Sequence, residues 1–170
     1  LFRVIAGSGA KEAMIAAALF VVLGAATLVH AAGLSMALGA AVTRNPQKEI
    51  GWGAVSIPDD AVARAWFGDL REFISFHWHG ETFGIPEGAT RILLGPHCAH
   101  QAFALGPHLG MQCHVEMTEE MIRQWCKDGT GEIAASNSPA VQSPETMQAG
   151  MGPKVAALNA VADNIYMRWI

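Results

Sequence analysis

The chain has 170 residues, a length that suits one domain with a hydrophobic core of its own, so neither disulfides nor metal staples are required for stability. Its net charge of −4, with the eleven Lys and Arg residues scattered, leaves no cationic footprint and argues against nucleic acid or an anionic membrane as a partner. Cys98, Cys113 and Cys126 are odd in number and lack CxxC spacing, which fits a reducing compartment, the cytoplasm, better than a secreted disulfide scaffold.

Val4-Ile5-Ala6-Gly7-Ser8-Gly9 reads as the end of a strand running into a glycine turn, followed by a helix over about 11–19. Residues 13–42 are apolar, and only His30 among them is ionisable. The charge-free run from Met14 to Val29 is shorter than the ~20 residues a membrane helix needs, and it lacks aromatic belts and basic flanks. It is therefore read as a buried parallel strand, Phe20-Val21-Val22-Leu23, and a buried alanine-rich helix to about Leu38, the central layer of an α/β protein.

Gly39 ends that helix. An extended stretch begins at Val42, and a strand is predicted at 53–57. Pro58-Asp59-Asp60 supplies a turn and an N-cap for a short helix carrying Ala61, Ala65 and Phe67. Residues 73–79 alternate in the manner of a strand that stops at Gly80; 85–88 form a turn before a strand at 90–94. Residues 101–105 and 109–113 read as a hairpin through Gly106-Pro107-His108. Thr118 caps a helix whose Met121, Ile122 and Trp125 make an inward stripe, and Gly129 stops it. Residues 130–151 are a Ser-, Pro- and Gly-rich connection. Pro153 then opens a closing helix with Leu158, Val161, Ile165 and Trp169 on one apolar face, and an exposed Trp169 would mark a contact between copies of the chain.

The chemistry concentrates at Gly110-Met111-Gln112-Cys113-His114-Val115-Glu116, where a histidine and a glutamate stand two apart at the exit of a strand. Period-two alternation places both on one side of the backbone. A carboxylate there holds an imidazole in one tautomer and stabilises its charged form, as in the base-and-orienter half of a nucleophilic triad. The rival cluster is His77-x-His79 with Glu81, whose two imidazoles face one way, as a metal site requires; the stretch is loosely similar to the metal motif of cupins, but the glutamate follows too soon. His97, His100 and His108 are read as exposed turn residues. None of the cysteines makes a convincing nucleophile: Cys113 points away from His114, Cys126 lies in a helix, and Cys98 has no strand-to-helix elbow to present it.

From about Leu38 onward the chain resembles the class I glutamine amidotransferase family, in particular stand-alone proteins similar to the amidotransferase domain of GMP synthase. The matching stretches are Ala37-Leu38-Gly39 with Val42-Thr43-Arg44-Asn45-Pro46, Glu49-Ile50-Gly51-Trp52, Phe76-His77-Trp78-His79-Gly80-Glu81-Thr82-Phe83, Gln101-Ala102-Phe103 and the His114-Val115-Glu116 segment. The resemblance implies a flavodoxin-like three-layer α/β fold with a mostly parallel central sheet, a single domain over 1–170, and no cofactor. It implies a Cys-His-Glu triad that takes ammonia from glutamine, or cleaves a γ-glutamyl bond of a small molecule, through a thioester. His114 is then the general base and acid, Glu116 orients it, and Trp78, His79 and Glu81 lie near the substrate. No ATP-binding GxxxxGK[ST] occurs, so the ammonia goes to a synthetase partner subunit or is released by simple hydrolysis.

The departure from the family is at the nucleophile. Counting back from Ala37-Leu38-Gly39 puts the cysteine position at Leu28, and counting forward from Val22-Leu23-Gly24 puts it at Ala26. Neither attacks a carbonyl, the flanking elbow glycines are missing as well, and residues 1–45 match poorly. Three readings stay open: a protein that keeps the pocket for ligand binding or regulation, a changed reading frame over the first forty residues, or a different nucleophile.

Overall fold

A computed structural model describes residues 40–169, with side chains through Arg168. The chain divides into two units, Leu1–Ala40 and Ala41–Ile170, and all described elements belong to the second. The glycine turn expected at 7–9, the helix at 11–19, the strand at 20–23, the apolar helix ending near Leu38, positions Ala26 and Leu28, and the Trp169 side chain lie outside the described residues. No described helix is long and apolar enough to cross a membrane.

The elements run β1 (Val42–Ser56), α1 (Ala61–Phe67), β2 (Glu72–Phe83), β3 (Thr90–Leu93), β4 (Ala102–Leu105), β5 (His108–Met111), α2 (Glu119–Asp128), α3 (Thr130–Ala134), α4 (Pro144–Gln148) and α5 (Met151–Trp169). The architecture is mixed α/β. Each ladder among the described residues is antiparallel: β1 with β2, and the meander β3-β4-β5. The mixed α/β class is the one expected, and the connections explain why the described ladders are its antiparallel part. Two residues join β4 to β5, too few for the crossover that parallel neighbours need, while the strand expected to run parallel, at 20–23, is outside the described residues. Single bridges tie the pieces together, Ser56 to Leu94, Phe76 to His114, and a parallel one from Ile50 to Val141.

Helix ends follow local chemistry. The Asp60 side chain accepts from Val62 N and Ala63 N at the start of α1, and Thr118 accepts from Met121 N at the start of α2. Pro153 is the third residue of α5 rather than the first, still within the turn whose N–H groups have no intrahelical partner. The connection expected at 130–151 contains two short helices, α3 and α4. Val55, Phe76, Ile92, Leu93, Met117, Ile122, Met147, Leu158 and Ile165 fill the core between the ladders and helices.

One clamp fixes how the chain after α3 returns to β1. Gln142 Oε1 accepts from Trp52 N at 2.9 Å and its Nε2 donates to Trp52 O at 2.8 Å, so an amide side chain takes the place of a strand neighbour. Gly51, at φ +112°, makes this approach possible, because a Cβ there would run into the Gln142 amide. Trp52 Nε1 donates to Met147 O at 2.8 Å and closes the same corner. Gln142→Ala removes both clamp bonds and is expected to cost about 1–3 kcal/mol, read as a lower midpoint at unchanged slope in urea unfolding.

Candidate functional site

His114 sits just past β5, and its backbone is held by β2: His114 N donates to Phe76 O at 2.8 Å, Phe76 N donates to His114 O at 3.3 Å, and Ser75 Oγ donates to the same carbonyl at 3.1 Å. With the backbone fixed, the side chain turns to Glu116, and Nδ1 lies 2.8 Å from Oε1. A carboxylate only accepts, so Nδ1 carries the proton and Nε2 is left as the basic nitrogen. Burial alone would raise the Glu116 carboxyl; the bond from His114, with the Glu116 and Val115 backbone groups, outweighs it and holds the carboxyl below its ordinary value. Trp125 packs edge-on against the His114 ring at 4.9 Å and fixes its plane.

A groove of about 570 Å³ opens beside this pair, lined by Trp78, His114, Trp125, Asp128, Gly129 and Glu132. Trp78 meets Trp125 at 5.7 Å with the rings at 87°, and its Nε1 donates to Glu132 Oε2 at 2.9 Å. Lys48 Nζ bonds the other Glu132 oxygen at 2.6 Å; these two bonds hold the Glu132 carboxyl below its usual range. Gly129, between α2 and α3, is where the Trp78 ring fits. A Cβ there would strike Trp78 Cζ2 and lie 3.0 Å from Trp125 O.

The structure brings Trp78 to His114 but takes His79 and Glu81 elsewhere. Those two line a neighbouring cavity of about 540 Å³ together with Arg44, Asn45, Lys48 and Trp78. His79 Nε2 lies 3.2 Å from Glu49 Oε2, and its Nδ1 is bonded to the Glu81 carbonyl at 3.0 Å; the Glu81 side chain is exposed. Gln101 Nε2 donates to Glu49 Oε2 at 2.7 Å. Burial pushes the Glu49 carboxyl up, and His79, His77 and Gln101 more than reverse this. His77, only 1% exposed, is driven by burial down to about 4 and is neutral. The reading of His77, His79 and Glu81 as one set is thus corrected in its third member: Glu49, across the ladder, stands where Glu81 was expected.

All three cysteines are free and buried. The Cys98 thiol meets Thr82 Oγ1 and Gln112 Nε2; Cys126 touches the Met147 sulfur. Burial raises the Cys113 thiol to about 12, so it carries no thiolate at neutral pH. His97 and His108 are exposed, while His100 is half-buried with Nδ1 on the Phe83 carbonyl at 2.8 Å. Sequence reasoning missed Glu49, Asp128 and Glu132 as site residues and took Trp125 for core. Glu49 and Gln101 stand within stretches that carry the family resemblance, which was the available signal.

No protein-family model matches the sequence. The glutamine amidotransferase-like protein YfeJ of Salmonella typhimurium is 29% identical over 100 residues, 58% of this chain and 42% of YfeJ. A solved glutamine amidotransferase from Methylobacillus flagellatus aligns with a TM-score of 0.74 at 39% identity, over 77% of this chain and 55% of its own. A glutamine amidotransferase from Thermotoga maritima, at TM-score 0.66 and 24% identity over the same shares, has the same fold. The chain is therefore similar to the glutamine amidotransferases in sequence, and it has their mixed α/β fold. It spans about half the length of the relatives it matches.

Two measurements check this geometry. Because Glu116 is held below its ordinary 4.5, its contribution to stability is complete above about pH 4.5 and is lost as pH falls through the lowered folded value. Wild type is expected to be more stable than Glu116→Gln at pH 7, with the difference in urea midpoint closing under acid conditions. Gly129→Ala is expected to cost about 1–3 kcal/mol through overpacking and to change the near-ultraviolet dichroism of the Trp78–Trp125 pair.

Proposed function

We propose that this chain is an amidotransferase-like protein whose groove receives glutamine or a γ-glutamyl small molecule, with His114 and Glu116 as the base half of a Cys-His-Glu site. The observation that carries this reading is the 2.8 Å bond from His114 Nδ1 to Glu116, on a side chain that lines the groove. In the full reaction Nε2 takes the proton of a thiol, and the thiolate attacks the γ-carbonyl carbon. The carbon–nitrogen bond breaks as the imidazolium returns its proton to the departing ammonia or amine. Water, deprotonated by the same nitrogen, then cleaves the thioester. The imidazolium formed twice in this cycle is the state that Glu116 stabilises.

The thiol is the missing part, since residues 1–39 contain no cysteine and the three that the chain has are buried. Loss of the nucleophile alone costs about 10⁶ in turnover in subtilisin, so this chain by itself binds its ligand without cleaving it. That favours a ligand-binding or regulatory role as the second reading. The three free thiols suit the cytoplasm. A synthetase subunit is the partner if ammonia is transferred, and none is needed for hydrolysis.

The test is a peptide map of residues 1–45 after exposure to a thiol-reactive glutamine analogue, with the fluorescence of Trp78 and Trp125 followed during titration with glutamine and with γ-glutamyl amides. The expected result is Ala26 and Leu28 in the map, no label, and saturable quenching that His114→Ala weakens. A labelled cysteine in that region makes the chain an active amidotransferase. Absence of saturable binding for every γ-glutamyl compound overturns the reading.

A further inference from the structure

We propose that Glu49, His77 and His79 form a site for one divalent first-row metal ion of the zinc class, built into the β1–β2 ladder on the face of β2 opposite Trp78. One ligand atom of each residue lies within 4.8 Å of the other two. The His79 Nε2 to Glu49 Oε2 separation, 3.2 Å, already approaches the ~3.4 Å edge of a tetrahedron with bonds of ~2.0–2.2 Å, and the His77 ligand atom, within 4.8 Å of both, draws in to complete it. Two histidines and a glutamate are a nitrogen and oxygen set that suits zinc and leaves a fourth position for water.

Hydrogen positions argue for a cation. The Glu81 carbonyl only accepts, so His79 Nδ1 donates to it, and in the neutral ring Nε2 turns a lone pair toward a carboxylate. Although Glu49 Oε2 stands 3.2 Å away, that nitrogen makes no well-aligned hydrogen bond. His77 repeats the pattern: Nε2 faces Gly53 O at 3.4 Å, and Nδ1, in a side chain 1% exposed, has no partner either. A second proton on His79 satisfies one of these atoms and leaves the other orphaned, whereas a metal ion satisfies both. The outer shell is of the kind metal ligands carry, with the His79 N–H on a backbone carbonyl and the Gln101 amide on the ligating carboxylate at 2.7 Å. Access exists: Glu49 and His77 line a cleft of about 180 Å³ with His97 at its rim, and His79 lines the larger cavity beyond.

The experiment is titration of the full chain, stripped with a chelator, with Co²⁺, followed by visible d–d absorption, with zinc content of untreated protein measured in parallel. The expected result is one equivalent of Co²⁺ with the intense bands of a four- or five-coordinate site, displaced by Zn²⁺. Affinity should fall by more than about tenfold in His77→Asn and in Glu49→Gln, folded by circular dichroism, and stay unchanged in the exposed control His108→Asn. Absence of the bands in wild type leaves a proton-bridged Glu49–His79 pair only and overturns the proposal. So do bands that persist unchanged in His77→Asn, or a sulfur-to-cobalt charge-transfer band, which reports cysteine ligation instead.

Discussion

The pairing of β1 with β2 is the constraint on which both clusters depend. Its register slips once: Arg44 faces Glu81 and Glu49 faces His79, so residues 45–48 of β1 stand against Gly80 alone. A bulge of this kind re-aims the side chains that follow it. Here it turns Glu49 inward onto His79 and frees Lys48 to reach Glu132. Beyond the bulge the ladder runs without a break from Glu49 to Ser56, so the position of every chemically active residue on β2 is set by its partner on β1.

Two histidine–carboxylate pairs result, and their surroundings give them different capacities. His114 and Glu116 have side chains 29% and 45% exposed, so water and a bound ligand can reach the pair. His79 and Glu49 are 10% and 4% exposed, and the neutral His77 ring stands 5.8 Å away. Low dielectric raises the cost of every unmatched charge or lone pair in that second cluster. Similar residue types thus give a solvent-reached imidazole at one face of β2 and a buried, incompletely satisfied polar cluster at the other.

What the sequence made legible was local. The His114–Glu116 pair is two residues apart, the caps Asp60 and Thr118 act within three, and the Gly129 stop follows directly on its helix. What it concealed depends on distant partners. Glu49 becomes a site residue only through a register slip with no sequence signature, and Glu132 only because α3 carries it to Trp78 and Lys48, 54 and 84 positions away. Gly80 looked like the end of a strand, yet β2 runs on to Phe83, because β1 is long enough to pair with it that far. The same length made one 15-residue strand of what read as two separate extended pieces. Residues 130–151 hide short helices for the converse reason, since helices of five residues gain too little from their own periodicity to be seen.

A preserved His114–Glu116 pair beside buried thiols is less paradoxical than it first looks. The His114 backbone makes both bonds of the bridge to Phe76, and its ring closes a run of aromatic contacts from Phe76 through Trp125 to Trp78. Replacing His114 would open that aromatic face and leave Glu116 without its main partner, whether or not a nucleophile stands opposite. The histidine therefore has a packing role that does not depend on turnover. A chain of this fold without a reactive thiol would still be held to His114 by stability, and the groove lined by Trp78, His114 and Trp125 would survive with it.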